Sequence, residues 1–197
     1  SESFTCTISI LPIIISSAFN GVDINSIPYS QYISNMGVVL QDFYIFAYSI
    51  KENISFDKEC EDSEIIQYLH KTGLKEKLLT IDNDTNTSLY RQLDDKGLEF
   101  SGGESQKLAL ARALFKDPQF LILDEPSSAI DPVAEYQLFS QLNELSDGKT
   151  TLFISHRLSS TKFCDRILVL EDGSITGYGN HNELMESHPL YADLYNT

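Results

Sequence analysis

Apolar residues in this chain fall into short continuous runs, which predict buried strands, and into sets three or four residues apart, which predict helices. Phe120-Leu121-Ile122-Leu123, bounded by Pro118 and Pro126, predicts a strand buried on both faces, as in a parallel sheet. Met36-Gly37-Val38-Val39-Leu40 is a second such run and ends at Gln41. Thr150 to Ser155 is a third, with His156 just past its end. Arg166 to Leu170 and Ser174 to Tyr178 read as strands joined at Asp172-Gly173. Helical spacing places Leu108, Ala111, Leu114 and Phe115 on one face. That helix opens at Ser101 and Glu104, which have the spacing of a capping box. It ends with Lys116 at the negative end of the dipole and Pro118 as a stop. Ser63 to Thr72 predicts a helix with Ile65, Ile66 and Leu69 inward and Gly73 at its C-terminal end.

Asp131-Pro132 is a cap followed by proline at the first helical position. It introduces an apolar face of Val133, Tyr136, Phe139, Leu142 and Leu145. His181 to Glu186 and Leu190 to Tyr195 predict short closing helices, and Asp82 to Ser88 a polar loop. Ser1 to Asn20 is the least legible stretch. Its Ile8, Ile10, Leu11 and Ile13 to Ile15 are β-like rather than helical, and Asn20-Gly21 marks a hairpin turn.

The chain has 197 residues, enough for one sizeable core and a small subdomain. It carries 14 basic and 29 acidic residues, a net charge of -15. This argues against a nucleic-acid surface, which needs a basic patch. An acidic fold that binds an anionic ligand must supply local N–H groups, a cation or a basic side chain. Cys6, Cys60 and Cys164 are scattered and odd in number, which suggests neither a disulfide framework nor a metal site and fits a reducing compartment. No apolar run approaches the length of a membrane span. Ser1 to Ala18 lacks basic residues and contains Pro12, so it makes a poor signal peptide.

Two kinds of chemistry lie close together between Phe100 and Asp131. Gly102-Gly103 opens the capped helix, although glycines weaken a helix start entropically. Their use is close backbone approach to a ligand, and a helix N-terminus favours an anion such as phosphate. Asp124-Glu125 then ends the buried strand, at the edge where open α/β sheets bind ligands. Neighbouring strand-end side chains point opposite ways and can do separate jobs. One can hold Mg²⁺ through oxygen, and the other can orient or deprotonate a water. The phosphate loop G-x-x-x-x-G-K-[ST] has only a partial match at Gly148-Lys149-Thr150, with Asn143 where the first glycine belongs. A helix precedes it and a strand follows, so Asp147-Gly148 reads as a plain turn.

Together these residues resemble the ATP-binding cassette family, the nucleotide-binding domains of ABC transporters. Ser101-Gly102-Gly103-Glu104 is similar to the family's signature motif, with Glu104 where Gln is commoner. Phe120 to Glu125 resembles its Walker B strand and catalytic glutamate. Ser128-Ala129-Ile130-Asp131 resembles its D-loop, with Ile130 where Leu is usual. Gln41, in the context Gln41-Asp42-Phe43-Tyr44-Ile45-Phe46, resembles the Q-loop glutamine, and His156 the H-loop histidine. The phrases Ser155-His156-Arg157-Leu158 and Tyr191-Ala192-Asp193-Leu194-Tyr195 are most similar to exporter-type cassettes.

The resemblance covers Gly21 to Tyr195. It implies an α/β, P-loop NTPase-like parallel sheet core with a helical subdomain. The core would comprise residues 21–50 and 118–197 and the subdomain 51–117, after an illegible segment 1–20. The family's Walker A loop is expected close to or just before residue 1, leaving the N-terminal part of the core missing. The implied cofactors are ATP and Mg²⁺. Asp124 would bind Mg²⁺, Glu125 would act as base on water, and Gln41 would reach the metal and the water. His156 would contact the γ-phosphate. Ser101, Gly102, Gly103, Glu104 and Asp131 would serve the nucleotide held by a second cassette.

The expected role is that of an ATP-binding and ATP-hydrolysing subunit or fragment of an exporter, at the cytoplasmic face of the cell membrane. Its partners would be a second cassette and a transmembrane domain, with no nucleic acid. The alternative is a non-hydrolysing remnant or interaction protein that donates its signature motif to a partner cassette. A soluble, non-transport ABC ATPase is a third reading, which predicts a second cassette or coiled-coil arms. Four aromatics between Phe43 and Tyr48 are expected to pack inside or to form the surface that meets the membrane domain.

Overall fold

The computed structural model describes residues 4–8, 18–19, 21–56, 58–90, 97–126, 139–140, 142, 145, 148–155 and 158–196. They divide into two compact units. The first comprises Ser1–Val38, Pro118–Glu125 and Ser146–Thr197; the second comprises Val39–Asp117 and Pro126–Leu145.

The first unit is built on a sheet of six strands: β1 (Phe4–Ile8), β4 (Met36–Val39), β5 (Phe120–Asp124), β6 (Thr150–Ile154), β7 (Arg166–Glu171) and β8 (Ser174–Gly179). Their spatial order is β4-β5-β6-β1-β7-β8. β5 and β6 pair in parallel from Phe120↔Thr150 to Asp124↔Ile154. β1 runs parallel to both β6 and β7, so part of the illegible N-terminal stretch lies in the middle of the sheet. β8 returns antiparallel to β7. Asp172 and Gly173 both have positive φ, 48° and 78°, as the tight connection of a hairpin demands. β2 (Ala18–Phe19) and β3 (Val22–Asp23) form a separate antiparallel ribbon next to Gly21, whose φ is +78°.

Burial alternates along the strands. Leu121, Leu123, Phe153 and Ile167 are fully buried, whereas Ile122, Leu152 and Leu168 on the other face are half-buried. The expectation of a strand buried on both faces holds fully for one face, and the other is half-buried. Alternation with a period of two is what the pleat imposes once one face is sealed more tightly than the other.

The chain closes with α6 (His181–Ser187) and α7 (Pro189–Tyr195). Tyr191, in α7, is fully buried. Thr161 Oγ1 donates to Leu158 O at 2.7 Å, so its single proton is used. The 2.6 Å contact between Thr161 Oγ1 and Tyr191 Oη must then be a bond donated by the tyrosine. His181 Nδ1, 2.8 Å from Tyr191 Oη, is left as the donor to it. Tyr191→Phe removes the centre of this chain and is expected to cost about 1–2 kcal/mol. Urea unfolding checks it; a midpoint equal to wild type would show that the chain of bonds adds nothing.

The second unit is helical: α2 (Ile50–Ser55), α3 (Asp62–Lys71), α4 (Lys75–Leu79) and α5 (Gly102–Phe115). Ile50, Ile54, Ile65, Leu69, Leu74, Leu78, Leu89 and Leu108 form one core with Ala111 and Phe115. Each such aliphatic side chain contributes about 1.5–3 kcal/mol by leaving water. α2 starts at a complete capping box, with Ser49 and Glu52 bonding each other's backbone N–H. Phe139 and Leu142, on the apolar face expected after Asp131-Pro132, are fully buried. Val133 and Tyr136 lie outside the described residues.

Candidate functional site

The candidate residues fall into groups according to the elements that carry them. In the first unit, β5 delivers Asp124 as its last residue, half-buried, in register with Ile154 of β6. Glu125 follows at once and is only 7% exposed, an unusual setting for a carboxylate. Its N–H continues the ladder, donating to Ile154 O at 2.9 Å. Its φ is +50°, in the left-handed region that costs a non-glycine residue energy. Strain of this kind persists where the surroundings over-determine the backbone, and functional sites are where it clusters. The chain thus leaves the strand through a sharp turn at a buried carboxylate, with a second, more accessible carboxylate one residue before it.

In the second unit, Ser101 is the N-cap of α5, with extended φ and ψ of -64° and 166°. Its Oγ accepts the Glu104 N–H at 3.3 Å, and its own N–H donates to Glu104 Oε2 at 2.8 Å. The predicted capping box is therefore present and fixes the start of the helix. Gly102 and Gly103 form the first turn, where position alone leaves N–H groups without intrahelical acceptors. Ser101 and Gly102 are exposed, so those donors are open to a ligand. Burial by itself would raise the Glu104 carboxyl, but the Ser101 N–H and the Lys77 ammonium overcome it and hold the group below the usual carboxylate range.

Gln41 follows β4, exposed, in a turn of the second unit. Of the aromatics that come after it, Tyr44 is 75% exposed, Tyr48 61% and Phe46 41%, so this stretch presents aromatic surface. It is nevertheless held in place. Arg112 of α5 donates from Nε to Asn53 O at 2.7 Å, from one terminal nitrogen to Tyr44 O at 2.8 Å and from the other to Asn53 Oδ1 at 2.9 Å. Its guanidinium also lies 5.3 Å from the Phe46 ring centroid and 5.2 Å from that of Phe56.

The fold thus joins Asp124 to Glu125, and Ser101 to Gly102, Gly103 and Glu104. His156 and Asp131 lie outside the described residues, as do Ser128, Ala129 and Ile130. Sequence reasoning did not single out Arg112 or Lys77. The available signal for Arg112 was a charged residue between Ala111 and Ala113 on a helix that is otherwise apolar there.

The residues present suit a magnesium nucleotide. Carboxylate oxygen is the donor that Mg²⁺ prefers, and open N–H groups at the start of a 14-residue helix suit phosphate. Acidic residues at the end of a parallel strand, and a glycine-started helix, are each features that nucleotide-binding α/β domains use.

Comparison with known proteins agrees. The model of the family described as ABC transporter matches residues 14–128. Subtilin transport ATP-binding protein SpaT of Bacillus subtilis is 39% identical over 187 residues, covering 89% of this chain and 29% of that protein. A multidrug resistance ABC transporter ATP-binding and permease protein of Lactococcus lactis is 37% identical over 175 residues, covering 88% and 29%. The ATP-dependent lipid A-core flippase of Burkholderia pseudomallei is 34% identical over 196 residues, covering 97% and 32%. A solved structure of a bacterial Atm1-family ABC exporter with ATP bound superposes with a TM-score of 0.83 at 26% identity, covering 98% of this chain and 36% of that one. The chain belongs to the ABC transporter family and has its ATPase fold. It spans less than a third of these curated relatives. No helix among the described residues is long and apolar enough to cross a membrane.

Proposed function

We propose that this chain acts as ATPase-cassette sequence of an ABC exporter, at the cytoplasmic face of the membrane. In this reading it pairs with a second cassette and works against a transmembrane domain. The observation that carries the reading is the strand end: Asp124 finishes β5, and the buried Glu125 follows in a left-handed turn. The names of the relatives, an ATP-binding and permease protein and a flippase among them, support the same role.

Asp124 offers an oxygen ligand to Mg²⁺. When bound, that ion offsets the charge of the triphosphate and polarises the γ-phosphoryl oxygens. Glu125 takes the proton of the attacking water. By the family resemblance, Gln41 and His156 would serve that water and the γ-phosphate. Ser101, Gly102 and Gly103 direct hydroxyl and N–H groups at the triphosphate held by the second cassette, and Glu104 and Asp131 belong to the same nucleotide site. Such chemistry is almost entirely positioning and charge stabilisation.

A second reading has its own support. The 197 residues contain no G-x-x-x-x-G-K-[ST], yet the capped start of α5 is intact. In this reading the chain donates its signature face to a cassette that carries a complete phosphate loop. One experiment serves both readings. The chain alone is expected to hydrolyse ATP negligibly. Mixed with a cassette from the same exporter class that has an intact Walker A and a disabled signature, it should restore turnover. Ser101→Arg, which fills the phosphate's place, should abolish that gain. A mixture no faster than the partner alone would remove the signature role.

A further inference from the structure

The first turn of α5 holds a carboxylate beside the place where a phosphate would be received. A negative charge there stabilises the helix start. The same charge repels a polyanion that approaches the Gly102 and Gly103 N–H groups. The family's usual glutamine would not raise this conflict, so Glu104 needs a compensating cation.

Lys77 of α4 supplies it. Its Nζ lies 3.1 Å from Glu104 Oε2, the same oxygen that accepts the Ser101 N–H. The Lys77 and Glu104 side chains are 22% and 30% exposed, so water screens the pair less than it would an open surface pair. The ammonium is also held 5.4 Å from the centroid of the Phe100 ring, immediately before the N-cap. Two partners on either side of Ser101 thus pin one cation against the start of the helix.

We propose that Lys77 is a positioning residue of this site: it neutralises Glu104 in place, so that the Gly102 and Gly103 N–H groups can receive a triphosphate with no net negative charge beside them. This inference rests on the reading of Ser101 to Glu104 as a phosphate cap. It predicts that Lys77 matters only while residue 104 is a carboxylate.

The test is a titration of the 197-residue chain with inorganic tripolyphosphate, following the amide NMR signals of Gly102 and Gly103. Lys77→Met should weaken binding about fivefold, and Lys77→Arg should keep it. Glu104→Gln should tighten it. In the Glu104→Gln background, Lys77→Met should cost almost nothing, the non-additivity of a coupled pair. A second readout needs no ligand: the titration midpoint of the Glu104 carboxyl should rise in Lys77→Met. An equal loss from Lys77→Met in both backgrounds would make Lys77 merely structural and overturn the proposal, as would no loss in either. Wild-type protein whose Gly102 and Gly103 signals do not move would instead overturn the phosphate-cap reading itself.

Discussion

Glu125→Gln is expected to lower ATP turnover by about 10²–10⁴-fold, the worth of a general base. The setting is a chimera in which a strand, a G-x-x-x-x-G-K-[ST] loop and a helix stand ahead of Gly21. The amide is nearly isosteric with the carboxylate, so the left-handed backbone at this position and its N–H bond to Ile154 O should survive. What goes is the ability to accept a proton. Asp124, the proposed oxygen ligand, is untouched, so nucleotide affinity should hold while kcat falls. Phosphate release at saturating ATP, paired with a direct measurement of ATP binding, separates the two. Wild-type turnover would remove Glu125 from the chemistry. A parallel loss of affinity and turnover would give it a binding role instead.

The elements that build the site were legible because each carries its own local instruction. Pro118 and Pro126 bracket the run that became β5, and Ser101 with Glu104 announced the start of α5. Asp172-Gly173 likewise marked the turn between β7 and β8. What escaped sequence reading depends on contacts between residues far apart in the chain. Phe4–Ile8 alternates apolar Phe4, Cys6 and Ile8 with Thr5 and Thr7, a strand pattern, but nothing local says which strands it joins. Its place in the sheet comes from parallel pairing with strands about 150 residues later, Thr151 and Arg166 among the partners. Lys77 is an ordinary helical lysine until α4 sets it beside Glu104, 27 residues on. The start of α2 was a different kind of miss. The Ser49 to Glu52 capping box is local and readable, so the start of α2 needed no distant contact to find.

Loss of Arg112 should substantially damage the helical unit. Its three hydrogen bonds end on Asn53 O, Asn53 Oδ1 and Tyr44 O, so one side chain ties α5 to α2 and to the exposed aromatic stretch. Asn53, fully buried, in turn accepts the Phe46 N–H at 2.9 Å and donates to Phe46 O at 2.9 Å. Burial pulls the guanidinium below its ordinary value, yet an arginine stays charged at neutral pH. Arg112→Met keeps much of the apolar stem but takes the guanidinium donor from Tyr44 O and Asn53 O, leaves Asn53 Oδ1 with the Phe46 N–H, and removes the cation from the Phe46 and Phe56 rings. The expected cost is about 2–4 kcal/mol, since hydrogen bonds from a charged donor contribute more than neutral ones and part of the stem packing is retained. Arg112→Lys should recover only part of it, because a single ammonium cannot span three acceptors with the fork geometry of a guanidinium. Urea unfolding gives the size, and the near-ultraviolet dichroism of the aromatics reports the local order. A methionine variant within about 0.5 kcal/mol of wild type, the range of ordinary surface substitutions, would mean that the aromatic stretch holds its conformation without this tie.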